Sequence, residues 1–224
     1  MKAIAKKLLL VGMAAVLTLS LASCDSIGDN MIKDSQTYIQ GVLDKLYKGQ
    51  YNQEYMDLID LTESEAQEEH DDWLDQDADI FCNYFSIDND SEEFRAQVIE
   101  LYESLYDLSK YTVKGSTKLD SGAYAVEVEV EPMNIMDLVT GDEVNAMWDE
   151  VSGGVDVNEM SDEVYYAAHA TYGSMVLEAV KAQIPNMGYE PVESTVFQIK
   201  EDSDGYYSMV TNDLIAFSDY VIKN

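Results

Sequence analysis

The stretch that most constrains the fold is Tyr124-Ala-Val-Glu-Val-Glu-Val-Glu131, where Tyr124, Val126, Val128 and Val130 alternate with Ala125, Glu127, Glu129 and Glu131. A period of two puts one set of side chains on each face of a strand, so this segment must lie in a sheet with one face buried and the other in water. Tyr111 to Leu119 precedes it, and Asp120-Ser121-Gly122 supplies the turn, which predicts a hairpin. Pro132 ends the second strand because it has no N–H to donate to a ladder. A second hairpin is predicted near the C-terminus: Val192 to Lys200, a turn at Asp202-Ser203-Asp204-Gly205, then Tyr206 to Thr211.

Elsewhere the period is helical. Tyr38, Ile39, Val42, Leu43, Leu46 and Tyr47 mark an amphipathic helix that stops at Gly49. A short helix follows, with Tyr55, Met56 and Ile59 on its apolar side. Thr62 and Glu65 have capping-box spacing, as do Asp90 with Glu93 and Thr140 with Glu143. They predict helices through Trp73, Ile80 and Phe81, through Phe94 to Leu108, and from Thr140 to the break at Ser152-Gly153-Gly154. A small-residue-rich helix should span Glu159 to Gln183, ahead of Pro185, and Asn212 can cap a last helix through Leu214, Phe217 and Val221.

Together these elements predict an α+β fold, with an antiparallel sheet of about four strands built from two hairpins and helices packed on it. Residues 34–224 are expected as a single domain, with two packed subdomains (about 34–132 and 133–224) as the alternative. Similar turns at Lys118–Tyr124 and Lys200–Tyr206 could reflect a duplication or only shared turn chemistry.

Composition fixes the class of partner. The chain holds 13 Lys and Arg against 44 Asp and Glu, a net charge of −31. Such a surface repels phosphate backbones, so nucleic-acid binding is excluded. A hydrophobic fraction of 46% with 16 Tyr supports a packed core rather than disorder. Two readings of the charge remain: plain solubility, or a field that attracts cations and cationic peptides.

The N-terminus is an export signal: Lys2, Lys6 and Lys7 precede a mostly apolar run from Leu8 to Leu21 that closes on small residues. Leu21-Ala22-Ser23-Cys24 resembles the lipobox of bacterial lipoproteins. The resemblance implies cleavage before Cys24, removal of residues 1–23 as a lipoprotein signal peptide, and diacylglyceryl on the Cys24 sulfur. Two acyl chains hold a protein on a membrane where one holds it only marginally. The expected address is the extracytoplasmic face of the cell membrane, with residues 24–33 as a polar tether. The arrangement also resembles the extracytoplasmic lipoproteins of Gram-positive bacteria, some of which are similar to the cone-shaped NTF2-like fold and its sheet-enclosed pocket.

Candidate chemistry is sparse. With Cys24 given to lipid, Cys82 stands alone and reads as a small buried hydrophobe, so no disulfide forms. Asp88 to Glu93 begins like a calcium loop but carries Glu93 where glycine is required, so helix capping is the better account. Asp202 to Gly205 reads as a turn. His70 with Asp71, Asp72 and Asp75 reads as a solvated acidic face, and His169 as a packed or surface histidine. No nucleophile motif or phosphate loop is present, and no catalytic residue, metal ligand or cofactor is assigned. The expectation is a non-enzymatic, lipid-anchored binding protein with a Tyr-lined cleft. The alternatives are a cell-envelope hydrolase and an acidic sensor of cations or cationic peptides.

Overall fold

The computed structural model describes residues 26–201 and 207–223. The signal segment, Cys24 and the Asp202–Gly205 turn therefore lie outside the described residues. Seven helices and four strands follow in the order α1 (Ser26–Lys48), α2 (Gln53–Ile59), α3 (Glu63–Tyr84), α4 (Glu92–Asp107), β1 (Lys110–Lys118), β2 (Tyr124–Glu131), α5 (Gly141–Ser152), α6 (Asp162–Gln183), β3 (Glu193–Glu201), β4 (Tyr207–Met209) and α7 (Thr211–Val221).

The sheet has the order β1-β2-β3-β4, every pair antiparallel, so the two hairpins join through β2 and β3. The register sets Val126 opposite Phe197 and Tyr124 opposite Ile199, and all four are buried. Glu127 and Glu129 face Val196 and Ser194 across the same ladder, on the other side of the pleat. A bulge between Val113 and Gly115 interrupts β1, which is an edge strand.

The apolar face of the sheet is filled by helices. Ile39, Val42, Leu43, Leu46 and Tyr47 recur at helical spacing along α1 and are all buried in the cluster that contains the strand valines. Phe217 of α7 lies 5.4 Å from Phe197 and 5.8 Å from Tyr47, ring centre to ring centre. The space that an NTF2-like cone would keep open against the sheet is thus occupied by side chains. The same buried cluster takes in residues from both sides of Pro132.

Several local expectations change. The polar tether expected at 24–33 is helical from Ser26: its polar residues lie on the first turns of α1, and Met31 and Ile32 pack against the core. The first cap of α4 is Ser91, whose hydroxyl accepts from the Phe94 N–H, rather than Asp90. Val210, not Asn212, occupies the cap position of α7. The helix expected from Glu159 begins at Asp162, because Val157–Glu159 forms a separate 3₁₀ turn and Ser161 caps α6. The Thr62–Glu65 and Thr140–Glu143 boxes form with both reciprocal bonds. Small residues of α6 permit close packing on its neighbours: Gly173 sits where a Cβ would come within 2.9 Å of Ile87, in the link between α3 and α4, and 3.1 Å of Phe94 of α4.

Candidate functional site

The tyrosines converge in the core rather than around a cleft. Tyr47 lies edge-on to Tyr106 at 4.8 Å and to Trp73 at 5.7 Å, and Tyr102 lies tilted against Tyr106 at 5.7 Å. Tyr47, Tyr55, Tyr102, Tyr106, Tyr124 and Tyr172 are all buried. A phenol brings a large apolar body with one polar atom to satisfy, and the hydroxyls of Tyr106, Tyr124 and Tyr172 find internal acceptors. The Tyr106 hydroxyl donates to the Asp77 carboxylate at 2.6 Å, and Tyr172 donates to the Phe85 carbonyl at 2.7 Å. The Tyr47 hydroxyl and the Trp73 indole N–H are buried with no hydrogen-bond partner among the described residues.

Asp77 is the least expected member of this cluster. It is only 5% exposed, on the inner side of α3 beside Leu74, Ala78 and Phe81. Burial penalises its ionised form more than the Tyr106 bond favours it, so the carboxyl is pushed up to about 7.

Both histidines are buried, which corrects the placement of His70 on a solvated face. His70 Nδ1 bonds the Leu46 carbonyl at 3.1 Å, and the ring packs under Gly49, whose φ of +55° closes α1. Asp71, Asp72 and Asp75 point away to solvent, and Asp75 with Asp79 holds Arg95. His169 lies between Trp148 and Tyr165, with ring centres 4.7 and 4.4 Å away. Its Nδ1 accepts from the Asp88 backbone N–H at 3.0 Å, so the proton sits on Nε2, and burial holds the ring below its usual pKa. The Asp88 carboxylate accepts from the Tyr165 hydroxyl. The loop read as calcium-like thus pins α6 to the end of α3, and Asn89 accepts from the Ser91 N–H. Among the described residues no group of three or more His, Cys, Asp or Glu is arranged to hold a metal ion. Cys82 is half-buried rather than buried, and desolvation raises its thiol.

Two open grooves stand out among the described residues. One, of about 310 Å³, lies between α1, α2 and β1 and is lined by Lys33, Gln36, Thr37, Gln40, Asn52 and Glu54 among others. The second, of about 260 Å³, lies at the β1–β2 end beside Lys110, Tyr111 and Glu131. Both are lined mainly by polar residues, and Tyr111, beside the second, is the one tyrosine in either lining.

An apolar surface sits on the α5–α6 hairpin, while Val192 and Ile215, each 56% exposed, lie on other parts of the chain. Val164 and Tyr166 of α6 are 53% and 57% exposed, and Val155 and Val157 in the link before it are 46% and 43% exposed. Exposed positions on α6 fall at 162, 163, 164, 166, 167, 170, 171, 174, 178 and 182, which form one side of the helix. From Val164 to Ser174 that side carries no charge. Sequence reading missed it because Ala, Thr and Ser suit a buried or an exposed side equally. A signal was available: apolar residues recur on every side of α6, more than a single buried stripe needs.

No protein-family model matches the chain, and no curated protein matches it in sequence. Among solved structures it is similar to the crystal structure of a candidate lipoprotein (ycdA) from Bacillus subtilis, with a TM-score of 0.57 at 16% identity. The match covers 88% of this chain and 58% of that one. At that identity the likeness shows the fold alone: an α+β fold with helices on an antiparallel four-stranded sheet.

Proposed function

We propose that this chain is a lipid-anchored, extracytoplasmic binding protein, moored through diacylglyceryl on Cys24 and engaging its partner non-enzymatically. The observation that carries binding is the uncovered apolar side of the α5–α6 hairpin, with Val164 and Tyr166 more than half exposed. Large apolar side chains grouped on a surface mark interaction sites rather than chance exposure. The mooring rests on the signal run and the Leu21-Ala22-Ser23-Cys24 motif. It is supported by two further facts: no described helix is long and apolar enough to cross a membrane, and a structural neighbour is itself described as a candidate lipoprotein.

The fold gives the mooring a consequence. α1 starts at Ser26, two residues after Cys24 in sequence, and runs into the core at Ile39, so the body begins close to the proposed anchor. At 1.5 Å of rise per residue, Lys33 stands roughly 10 Å from the start of α1, so the α1–α2 groove lies toward the anchored end of the body.

Hydroxyl-radical footprinting on native membranes tests the reading. Tyr166 and Val164 should be protected on membranes carrying the wild-type chain and labelled once the chain is purified away from them. Cys24→Ala should leave the membrane fraction and lose the protection. Equal labelling in both settings, or Cys24→Ala remaining membrane-bound, would contradict it.

A further inference from the structure

The α5–α6 surface has a charge pattern that selects its partner. No Lys or Arg occurs between Lys118 and Lys181, so up to the last turn of α6 the hairpin's charged side chains are carboxylates alone. Asp156, Glu159, Asp162 and Glu163 are exposed and interleave with Val155, Val157, Val164 and Tyr166. Tyr165 stands edge-on to Tyr166 at 5.3 Å and steadies that exposed ring. Elsewhere some acids have cations to meet: Arg95 bridges Asp75 and Asp79, Lys33 meets Glu54, and Lys114 meets Glu129. No described ion pair touches the hairpin before Glu178, at the far end of α6.

Each occupant of an apolar side framed this way must bring positive charge. A second copy would set Glu163 and Asp162 against like charges, in a chain already at −31. An anionic bilayer would be repelled for the same reason. A cationic chain with an apolar side satisfies both requirements, because its Leu-type side chains cover the valines while its Lys or Arg side chains meet the carboxylates and the Tyr166 ring.

We infer that the outer side of α6, with the 155–160 link, is a docking surface for a cationic amphipathic segment of a partner polypeptide. This inference rests on the binding reading above and names the partner's chemistry.

The probe is a fluorescent synthetic helix with Lys on one side and Leu on the other, compared with a scrambled peptide of the same composition. Binding is read by anisotropy on the mature chain, residues 24–224, carrying Cys24→Ser so that lipid does not enter the result. The amphipathic peptide should bind about tenfold tighter than the scrambled one, and Val164→Ser with Tyr166→Ser should remove about that factor. Asp162→Asn with Glu163→Gln should weaken binding and flatten its dependence on salt. Asp71→Asn with Asp72→Asn, on the equally acidic outer side of α3, should change neither. All of these side chains are exposed, so melting curves should match the wild type, and Val157→Ser gives an independent variant outside the helix.

Equal binding of the scrambled peptide, or equal loss from the α3 substitutions, would overturn the inference in favour of general attraction to charge. A dimer abolished by Tyr166→Ser, or adsorption to phosphatidylglycerol vesicles, would overturn it in favour of another occupant. If peptide binding fails while footprint protection on native membranes persists, only the partner chemistry falls. If the protection fails too, so does the binding reading.

Discussion

Asp77 shows how one buried atom group couples this fold to pH. Its carboxyl is raised to about 7 in the folded chain, against about 4 in the unfolded one, so between those values the folded state binds more protons. Stability from this group is therefore fully present below about pH 4, declines as pH rises toward 7, and is flat above. Asp77→Asn keeps an oxygen for the Tyr106 hydroxyl and cannot ionise. It should stabilise the chain by about 1–3 kcal/mol near pH 8 and by little near pH 4, measured by urea unfolding. His169 runs in the opposite sense, since its pKa is lowered and its neutral Nδ1 accepts the Asp88 N–H; stability is lost as pH falls below 6.5. Its ring protons should titrate below that of a free histidine by NMR. Gly41 is a steric case: a Cβ there would lie 2.0 Å from the Tyr55 ring, which is itself buried. Gly41→Ala should cost about 3 kcal/mol in the same unfolding assay, as overpacking does when the neighbour cannot retreat.

At the scale of elements, the sequence signals that survived are those with a local physical cause. Alternation placed β2, because a pleat leaves no other way to segregate valine from glutamate, and the Thr62 and Thr140 boxes placed two helix starts. Thr140→Ala should therefore cost about 1 kcal/mol and lower the melting temperature by a few degrees. The signals that failed lacked such a cause. Residues 26–33 mix Ser26, Asp29, Asn30 and Lys33 with Ile27, Met31 and Ile32, which fits a tether as well as the first turns of a helix in which Met31 and Ile32 pack against the core. Asp90 and Ser91 are equally able caps, and only the bond to Phe94 chooses between them. The burial of His70 depends on α1 closing at Gly49, a contact between elements that α3 alone does not encode. Trp73 packs inward as expected, whereas Ile80 is 46% exposed, because the inner side of α3 is taken by Leu74, Asp77, Ala78 and Phe81. The candidate surface on α6 was illegible for a related reason: which side of an all-round apolar helix faces water is settled by α4 and α5, not by α6.

The whole molecule is a single-signed object, and its behaviour follows from that. With 44 acids on 224 residues, self-repulsion opposes compaction, and the packed cluster around the sheet must outweigh it. Raising salt from about 10 mM to about 200 mM should raise the melting temperature, since screening acts most on the exposed carboxylates. The same repulsion keeps the body off an anionic surface, so any hold on the membrane must come through the N-terminus. The measurement that tests this most directly is the intact mass of the N-terminal peptide from membrane-isolated protein. The account predicts that the mature chain begins at Cys24 with a diacylglyceryl group on its sulfur. A bare Cys24 thiol, or a chain that begins at any other residue, would contradict it.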